Sequence, residues 1–269
     1  EEFLKFGTVA IPLIIVCILG VLILIKLLIK KVPISSKMSY LIAIGTSVCG
    51  ATAIVAVAPI IEAKKTEVAY AIANITLFGV IAMLAYPYFA EWYFNGEPVM
   101  AGLFLGTAIH ETSQVAAAGL IYDQQFNSPE TLNVATVTKL IRNTFLVIMV
   151  PLFGFLYNRG NVKGKNYSVF SIFPYFVLGF IGMIIVRNIG DQIFTLDSVN
   201  YETWKFFINL LKDLATVFLT MAMAAVGISI NIGELRSMGY KPFVVGLIAA
   251  VTVGIVSIIS LETYLKVLL

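Results

Sequence analysis

The chain has 269 residues, of which 59% are hydrophobic and only 12% are charged, whereas a soluble domain has roughly 25% charged residues. This composition excludes a soluble fold, and a formal net charge of +3 is too small to indicate a nucleic-acid partner. Two cysteines and one histidine exclude both a disulfide framework and a metal site built from thiolates or several histidines. We therefore expect an integral membrane protein, embedded in the lipid bilayer and without a cofactor.

Apolar runs long enough to cross a hydrocarbon core of about 30 Å predict an all-α polytopic membrane protein. In chain order, the predicted spans cover about 8–30, 68–90, 132–157, 168–189, 206–230 and 242–265. Two further elements, at about 38–61 and 98–122, are rich in Ala, Gly, Ser and Thr, which pack closely against other helices and face lipid poorly. We refer to these as the first and second polar elements.

The loops between the elements differ in charge, and the positive-inside rule predicts that the basic ones are cytoplasmic. The basic loop residues are Lys30, Lys31, Lys37, Lys64, Lys65, Arg159, Lys163 and Lys165. The acidic or neutral loops, predicted to face outward, are 91–97, 123–130 and the loop with Asp191, Asp197 and Glu202. Because lysines flank the first polar element and acidic residues flank the second, we predict that each is re-entrant, with two half-helices that enter and leave on one face. The alternative, a discontinuous helix that crosses the membrane, places Lys64 and Lys65 outside.

The two polar elements are similar in sequence. GTSVCGATAIVAVA, at Gly45–Ala58, matches GTAIHETSQVAAAG, at Gly106–Gly119, mainly at small and β-branched positions. Each copy is followed by a span that we expect to end at a proline, Pro87 or Pro151. A coincidental similarity between two helices rich in small residues is the alternative.

Taken with the opposite charges of the flanking loops, the similarity predicts an inverted repeat of units 38–90 and 98–157 within one transmembrane domain, 1–269. Inverted repeats are typical of secondary transporters, in which paired broken helices meet at the membrane midplane and hold the substrate. The predicted fold class is therefore an inverted-repeat secondary transporter with two broken or re-entrant helices.

Ionisable residues at membrane depth are functional candidates because burying a charge there is costly. Lys139 and Arg142 lie three residues apart on one helical face, and we predict that they bind a small anion beside half-helix N-termini. The alternative is a buried ion network in which they neutralise Glu111. The predicted substrate-binding residues are Thr46, Ser47, Cys49, Thr52, Thr107, His110, Thr112, Ser113, Gln114, Lys139 and Arg142.

His110 and Glu111 form the predicted coupling pair at the centre of the second polar element. Histidine changes charge near neutral pH, so the pair is suited to carrying a coupling proton, although a hydrogen-bonded packing histidine is an equal alternative. The sequence has no Walker-type loop, Ser-His-Asp order or HExxH motif, and we expect no enzyme activity.

Five motifs resemble those of a known family, in order and with similar spacing over essentially the whole chain. They are GTSVCGATAIVAVAPII at 45–61, VAYAIANITLFG at 68–79, IHETSQVAAAG at 109–119, KLIR at 139–142 and MAMAAVGISI at 221–230. They resemble the bacterial YeiH-like family of sulfate exporters, which is distantly similar to the sodium/proton antiporter and bile-acid symporter class. Family members often have Asp where this sequence has Glu111, and they carry about three further N-terminal helices, which this chain is expected to lack.

The resemblance implies a multi-pass transporter of the bacterial inner membrane with a sulfate-like substrate. Three functions stay open: export or exchange of a small oxyanion, Na⁺- or H⁺-coupled carriage of an organic acid with Glu111 as the ion site, and a membrane protein that transports nothing. A homodimer is compatible with the sequence, which does not determine the oligomeric state.

Overall fold

The computed structural model of the chain describes residues 2–28, 32, 34–160, 176–195, 198–229, 233 and 239–268. Within these residues the protein is all-helical, with eleven α-helices. They are α1 Glu2–Leu28, α2 Ser36–Ser47, α3 Ala51–Val57, α4 Lys65–Phe94, α5 Pro98–Ala108, α6 Thr112–Phe126, α7 Pro129–Thr144, α8 Leu146–Gly160, α9 Phe176–Ile193, α10 Tyr201–Ser229 and α11 Lys241–Leu268. The predicted loop residues Lys30, Lys31, Lys163, Lys165 and Asp197, and residues 168–175 of one predicted span, lie outside this description.

Among the residues that the structure describes, three helical segments are long and apolar enough to cross a membrane, namely Lys65–Phe94, Pro129–Phe153 and Lys241–Thr263. Large apolar side chains on these segments point away from the protein interior; Leu84 and Ile259, for example, are more than half exposed. Contact with lipid explains such an apolar surface better than contact with water does. The prediction of an all-α membrane protein is therefore confirmed.

Each polar element consists of two helices separated by a short non-helical segment. In the first, α2 ends at Ser47 and α3 begins at Ala51, and Gly50 turns the chain between them with φ of +72°. In the second, α5 ends at Ala108 and α6 begins at Thr112, with extended backbone between them. We refer to residues 48–50 as the first break and to residues 109–111 as the second break.

The two ends of the first polar element lie next to each other. Ser35, the N-cap of α2, donates a hydrogen bond of 2.5 Å from its hydroxyl to the carboxylate of Glu67 in the first turn of α4. The ammonium group of Lys37, in the first turn of α2, donates one of 2.5 Å to the carbonyl oxygen of Glu62, beyond the end of α3. The chain therefore leaves this element close to where it entered.

The second polar element has the same arrangement at the other end of α4. The hydroxyl of Thr131, in the first turn of α7, donates to the carbonyl oxygen of Pro98, the first residue of α5, at 3.2 Å. Helix α4 has 30 residues, which corresponds to roughly 45 Å at 1.5 Å per residue. Helix α4 starts beside the two ends of the first polar element and finishes beside the two ends of the second. These two pairs therefore lie at opposite ends of the protein.

Helix α7 packs tightly against both halves of the second polar element. A Cβ atom added to Gly106 of α5 would lie 2.7 Å from the carbonyl oxygen of Ala135, and one added to Gly119 of α6 would lie 3.0 Å from Cα of Leu132. Glycines therefore allow the α5 and α6 backbones to approach α7 closely, as small residues do in other membrane helix pairs. This packing fixes the side chains that α7 directs toward the breaks.

The prediction that the spans end at Pro87 and Pro151 is wrong. Both prolines lie inside helices, since α4 continues to Phe94 and α8 continues to Gly160. Membrane helices tolerate internal prolines because neighbouring groups satisfy the freed carbonyl oxygen. The predicted span 132–157 contains a turn at Phe145, between α7 and α8, although the continuous segment Pro129–Phe153 is long enough to cross a membrane.

Candidate functional site

The guanidinium group of Arg142 joins the ends of two half-helices. It is fully buried and donates four hydrogen bonds to main-chain carbonyl oxygens. Nε binds Ser47 at 3.0 Å and Nη2 binds Thr46, both at the C-terminal end of α2. Nη1 binds Thr107 at 2.6 Å and Ile109 at 3.3 Å, at the C-terminal end of α5. The last carbonyl groups of a helix have no partner within that helix, so Arg142 satisfies groups that would otherwise be orphaned.

The ammonium group of Lys139 makes the same kind of contact one turn earlier on α7. It is fully buried and donates to the carbonyl oxygens of Val48 at 3.1 Å, Ile109 at 3.0 Å and His110. One acceptor is in the first break and two are in the second, so this side chain holds the two breaks together. Its three N–H donors are all used.

The electrostatics of this arrangement follow from helix polarity. The C-terminal ends of α2 and α5 each carry a partial charge of about −0.5, and buried cations compensate such ends. In the part of the chain that the structure describes, no ion pair links Lys139 or Arg142 to Glu111. Their hydrogen bonds go to helix ends, and their predicted role as anion ligands stays a prediction.

Glu111, the last residue of the second break, lies near the beginning of α3. Its side chain is largely buried, and Oε1 accepts hydrogen bonds from the main-chain N–H of Ala51 and from the hydroxyl of Thr76 on α4, both at 3.4 Å. The side-chain amide of Gln114 donates to the carbonyl oxygen of Thr76 at 3.1 Å. The carboxylate therefore lies where the second break, the start of α3 and the middle of α4 meet.

His110 is buried within the second break, with 2% of its surface exposed. Within the described part of the chain its Nδ1 atom has no hydrogen-bond partner, whereas its carbonyl oxygen accepts from Lys139. Nδ1 therefore lacks the hydrogen bond that the alternative of a hydrogen-bonded packing histidine would give it.

Three of the predicted hydroxyl ligands are bound to their own helices. Thr46, Ser47 and Thr107 are buried, and each donates to the carbonyl oxygen four residues earlier, at distances of 2.6 to 2.7 Å. The hydroxyl of Thr107 also lies 2.6 Å from that of Ser257 on α11. Hydroxyl groups bound in this way satisfy the helix backbone first.

The remaining predicted ligands lie within the breaks or in the first turns of the helices that follow them. The side chains of Thr52 and Ser113, in the first turns of α3 and α6, are exposed. Thr112 is half-buried, and its hydroxyl accepts from the side-chain amide of Asn143 at 3.1 Å. Cys49 is buried within the first break.

Several residues of the polar centre were absent from the predicted site. Ser257 is a polar residue within the apolar helix α11, and that setting was the signal that could have identified it. Asn143 directly follows Arg142 in a polar stretch of α7 and carried no such signal. Gly79 could not have been recognised in this way, because its role is to leave room: an added Cβ atom would collide with the Gln114 side-chain oxygen.

These features define a helical membrane protein in which two interrupted helices meet at a buried polar centre. The chain matches the family model Conserved hypothetical protein 698 over residues 1–246, and it belongs to that family of membrane proteins. This match confirms the YeiH-like family that the motifs predicted, whereas sulfate export and the relationship to antiporters and symporters stay predictions.

The relatives in this family are bacterial membrane proteins. The chain is 34% identical to the UPF0324 membrane protein FN0533 of Fusobacterium nucleatum over 264 residues, which are 96% of this chain and 75% of that protein. It is 35% identical to the UPF0324 membrane protein SAG1125 of Streptococcus agalactiae over 260 residues, covering 97% and 74%. No solved structure matches the chain.

Proposed function

We propose that the protein is a secondary active transporter that exports or exchanges a small oxyanion, such as sulfate, across the bacterial inner membrane. The observation that supports this function is the meeting of the two helix breaks at Lys139 and Arg142. Irregular backbone within a membrane protein is tolerated where it is buried in protein or lines a cavity, and broken helices of this kind hold the substrate in many secondary transporters.

The lengths of the half-helices support a meeting point near the middle of the membrane. Helix α2 has 12 residues and α5 has 11, which correspond to roughly 18 and 16 Å. Each is about half of a 30 Å hydrocarbon core. Because α2 and α5 start from opposite ends of the protein, their breaks meet at about the midplane.

The contacts between the two ends of each polar element support an inverted repeat of two re-entrant elements. The ends of the first polar element adjoin through Ser35 and Glu67, and those of the second through Pro98 and Thr131. In this proposal the first element enters from the cytoplasm and the second from outside, in agreement with their basic and acidic flanks.

The charge of the polar centre favours an anion. Lys139 and Arg142 contribute two positive charges, and Glu111 contributes one negative charge. The partial charges of the helix ends cancel, because two C-terminal and two N-terminal ends meet there. An oxyanion beside the breaks would experience this net positive field and would find the exposed hydroxyls of Thr52 and Ser113 as donors.

A second candidate function is Na⁺- or H⁺-coupled transport of an organic acid. It is favoured by the full engagement of the Lys139 donors with carbonyl oxygens, which leaves the ammonium group without a donor for substrate. In this candidate the carboxylate of Glu111 binds the coupling ion.

Purified full-length protein in proteoliposomes separates the candidates. For the first, radiolabelled sulfate enters the vesicles faster than it enters protein-free liposomes, and an imposed pH gradient changes the rate. For the second, sulfate does not enter, and a labelled dicarboxylate accumulates only with a Na⁺ or pH gradient. The absence of flux for every anion tested would contradict both candidates and favour a protein that transports nothing.

A further inference from the structure

Gly50 occupies a backbone conformation that other residues rarely adopt. Its φ of +72° and ψ of −128° reverse the chain between α2 and α3. Its N–H donates to the carbonyl oxygen of Gly45 at 2.9 Å, and its carbonyl oxygen accepts from Ile54 at 3.3 Å, so Gly50 both closes α2 and begins α3. The conformation alone accounts for a glycine at this position, but it does not account for what lies beside it.

The space where a side chain at position 50 would lie is taken by Glu111. An added Cβ atom would lie 2.5 Å from Cγ of Glu111 and 3.2 Å from its Oε1. Because a glutamate side chain is flexible, a methyl group at position 50 would displace the Glu111 side chain rather than the α6 backbone. The carboxylate accepts from the N–H of Ala51, the residue that follows Gly50, so such a displacement would break that contact.

We propose that Gly50 is a positioning residue for the Glu111 carboxylate, an inference that rests on the transport function proposed above. The missing side chain lets the carboxylate reach the first turn of α3, where it meets a free N–H group and the positive end of the helix. From the other side, the hydroxyl of Thr76 on α4 meets the same oxygen at 3.4 Å. Gly50 thereby places the coupling carboxylate between the first break and α4.

A double-mutant cycle in thermal melting of the purified protein tests the contact without a substrate. Gly50→Ala should lower the melting temperature more in the wild-type background than in Glu111→Ala, because the collision is present only when Glu111 has its full side chain. Gly239→Ala is the matched control: Gly239 also has positive φ, at +73°, but its added Cβ atom would meet nothing within 4 Å among the residues that the structure describes. Its cost should be equal in both backgrounds. Equal costs of Gly50→Ala in the two backgrounds would overturn the positioning role.

Sulfate transport in proteoliposomes then tests the consequence for function. Gly50→Ala should reduce the maximal rate severalfold while leaving KM for sulfate unchanged, because Glu111 is a coupling group and not a substrate ligand. Gly239→Ala should transport like the wild type, and Gly50→Ala combined with Glu111→Gln should be no slower than Glu111→Gln alone.

The two failures are distinguishable. If the wild-type protein moves no sulfate, the proposed function fails, and the melting cycle still decides whether Gly50 positions Glu111. If the wild type transports sulfate and Gly50→Ala behaves like Gly239→Ala, the positioning inference fails and the proposed function stands.

Discussion

Replacement of Arg142 by lysine tests whether this side chain holds the two half-helices together. The substitution keeps the positive charge but removes the planar fork that reaches both helix ends. A lysine ammonium group has its three donors on one nitrogen, so at position 142 it cannot reach all four carbonyl oxygens that the three nitrogens of the guanidinium group bind. We therefore expect Arg142→Lys to destabilise the protein although its charge is conserved.

The contacts of Arg142 set the magnitude of this effect. Ile109 retains a hydrogen bond from Lys139, so the carbonyl groups that depend on Arg142 are those of Thr46, Ser47 and Thr107. At least two of them should lose their partner. Each buried group left unsatisfied costs about 1–3 kcal/mol, which gives a loss of about 2–6 kcal/mol. With about 3 °C per kcal/mol, the melting temperature should fall by roughly 6–18 °C.

Thermal melting in detergent measures the effect, and Arg187→Lys provides the matched control. Arg187 forms an exposed ion pair with Asp191 at 2.6 Å, with about half of each side chain accessible. Such surface pairs contribute little, so this variant should melt within about 2 °C of the wild type. An Arg142→Lys protein that melts as close to the wild type as the control would refute the role of Arg142 at the helix ends.

Two further predictions concern packing and topology. Gly106→Ala should lower the melting temperature by several degrees, because the new Cβ atom would press on the carbonyl oxygen of Ala135. Gly179→Ala, whose Cβ atom would meet nothing within 4 Å in the described part of the chain, should have no such effect. Equal melting of the two variants would contradict close packing of α5 on α7. In a background without native cysteines, Lys65→Cys should react with an impermeant maleimide only from the cytoplasmic side and Gln125→Cys only from outside, and reaction of Lys65→Cys from outside would favour a crossing first element.

The sequence was informative about architecture because membrane helices leave strong compositional signals. Long apolar runs predicted the helices that are long enough to span a membrane, and the small-residue composition of 38–61 and 98–122 indicated the two interrupted elements. Proline was a poor guide to helix ends, since α4 passes through Pro87 and α8 through Pro151. The loss of one backbone hydrogen bond is small compared with the packing along a helix of 30 residues.

The candidate site was predicted less completely, for a physical reason. Lys139 and Arg142 were recognisable as charges at membrane depth, and both are buried. Their partners were not recognisable, because every helix ends in unpaired carbonyl groups and no sequence pattern marks which ends lie beside a cation. The hydroxyls of Thr46 and Ser47 likewise gave no sign that their own helix would engage them.

Sulfate counterflow is the measurement that tests the central claim most directly. Proteoliposomes loaded with unlabelled sulfate should transiently accumulate labelled sulfate when the wild-type protein is present, and Glu202→Gln, at an exposed position of α10, should do the same. Glu111→Gln should slow this flux, because the Glu111 carboxylate that it removes lies where the breaks meet. Accumulation no greater than in protein-free liposomes would contradict the assignment of this protein as a sulfate-type oxyanion transporter.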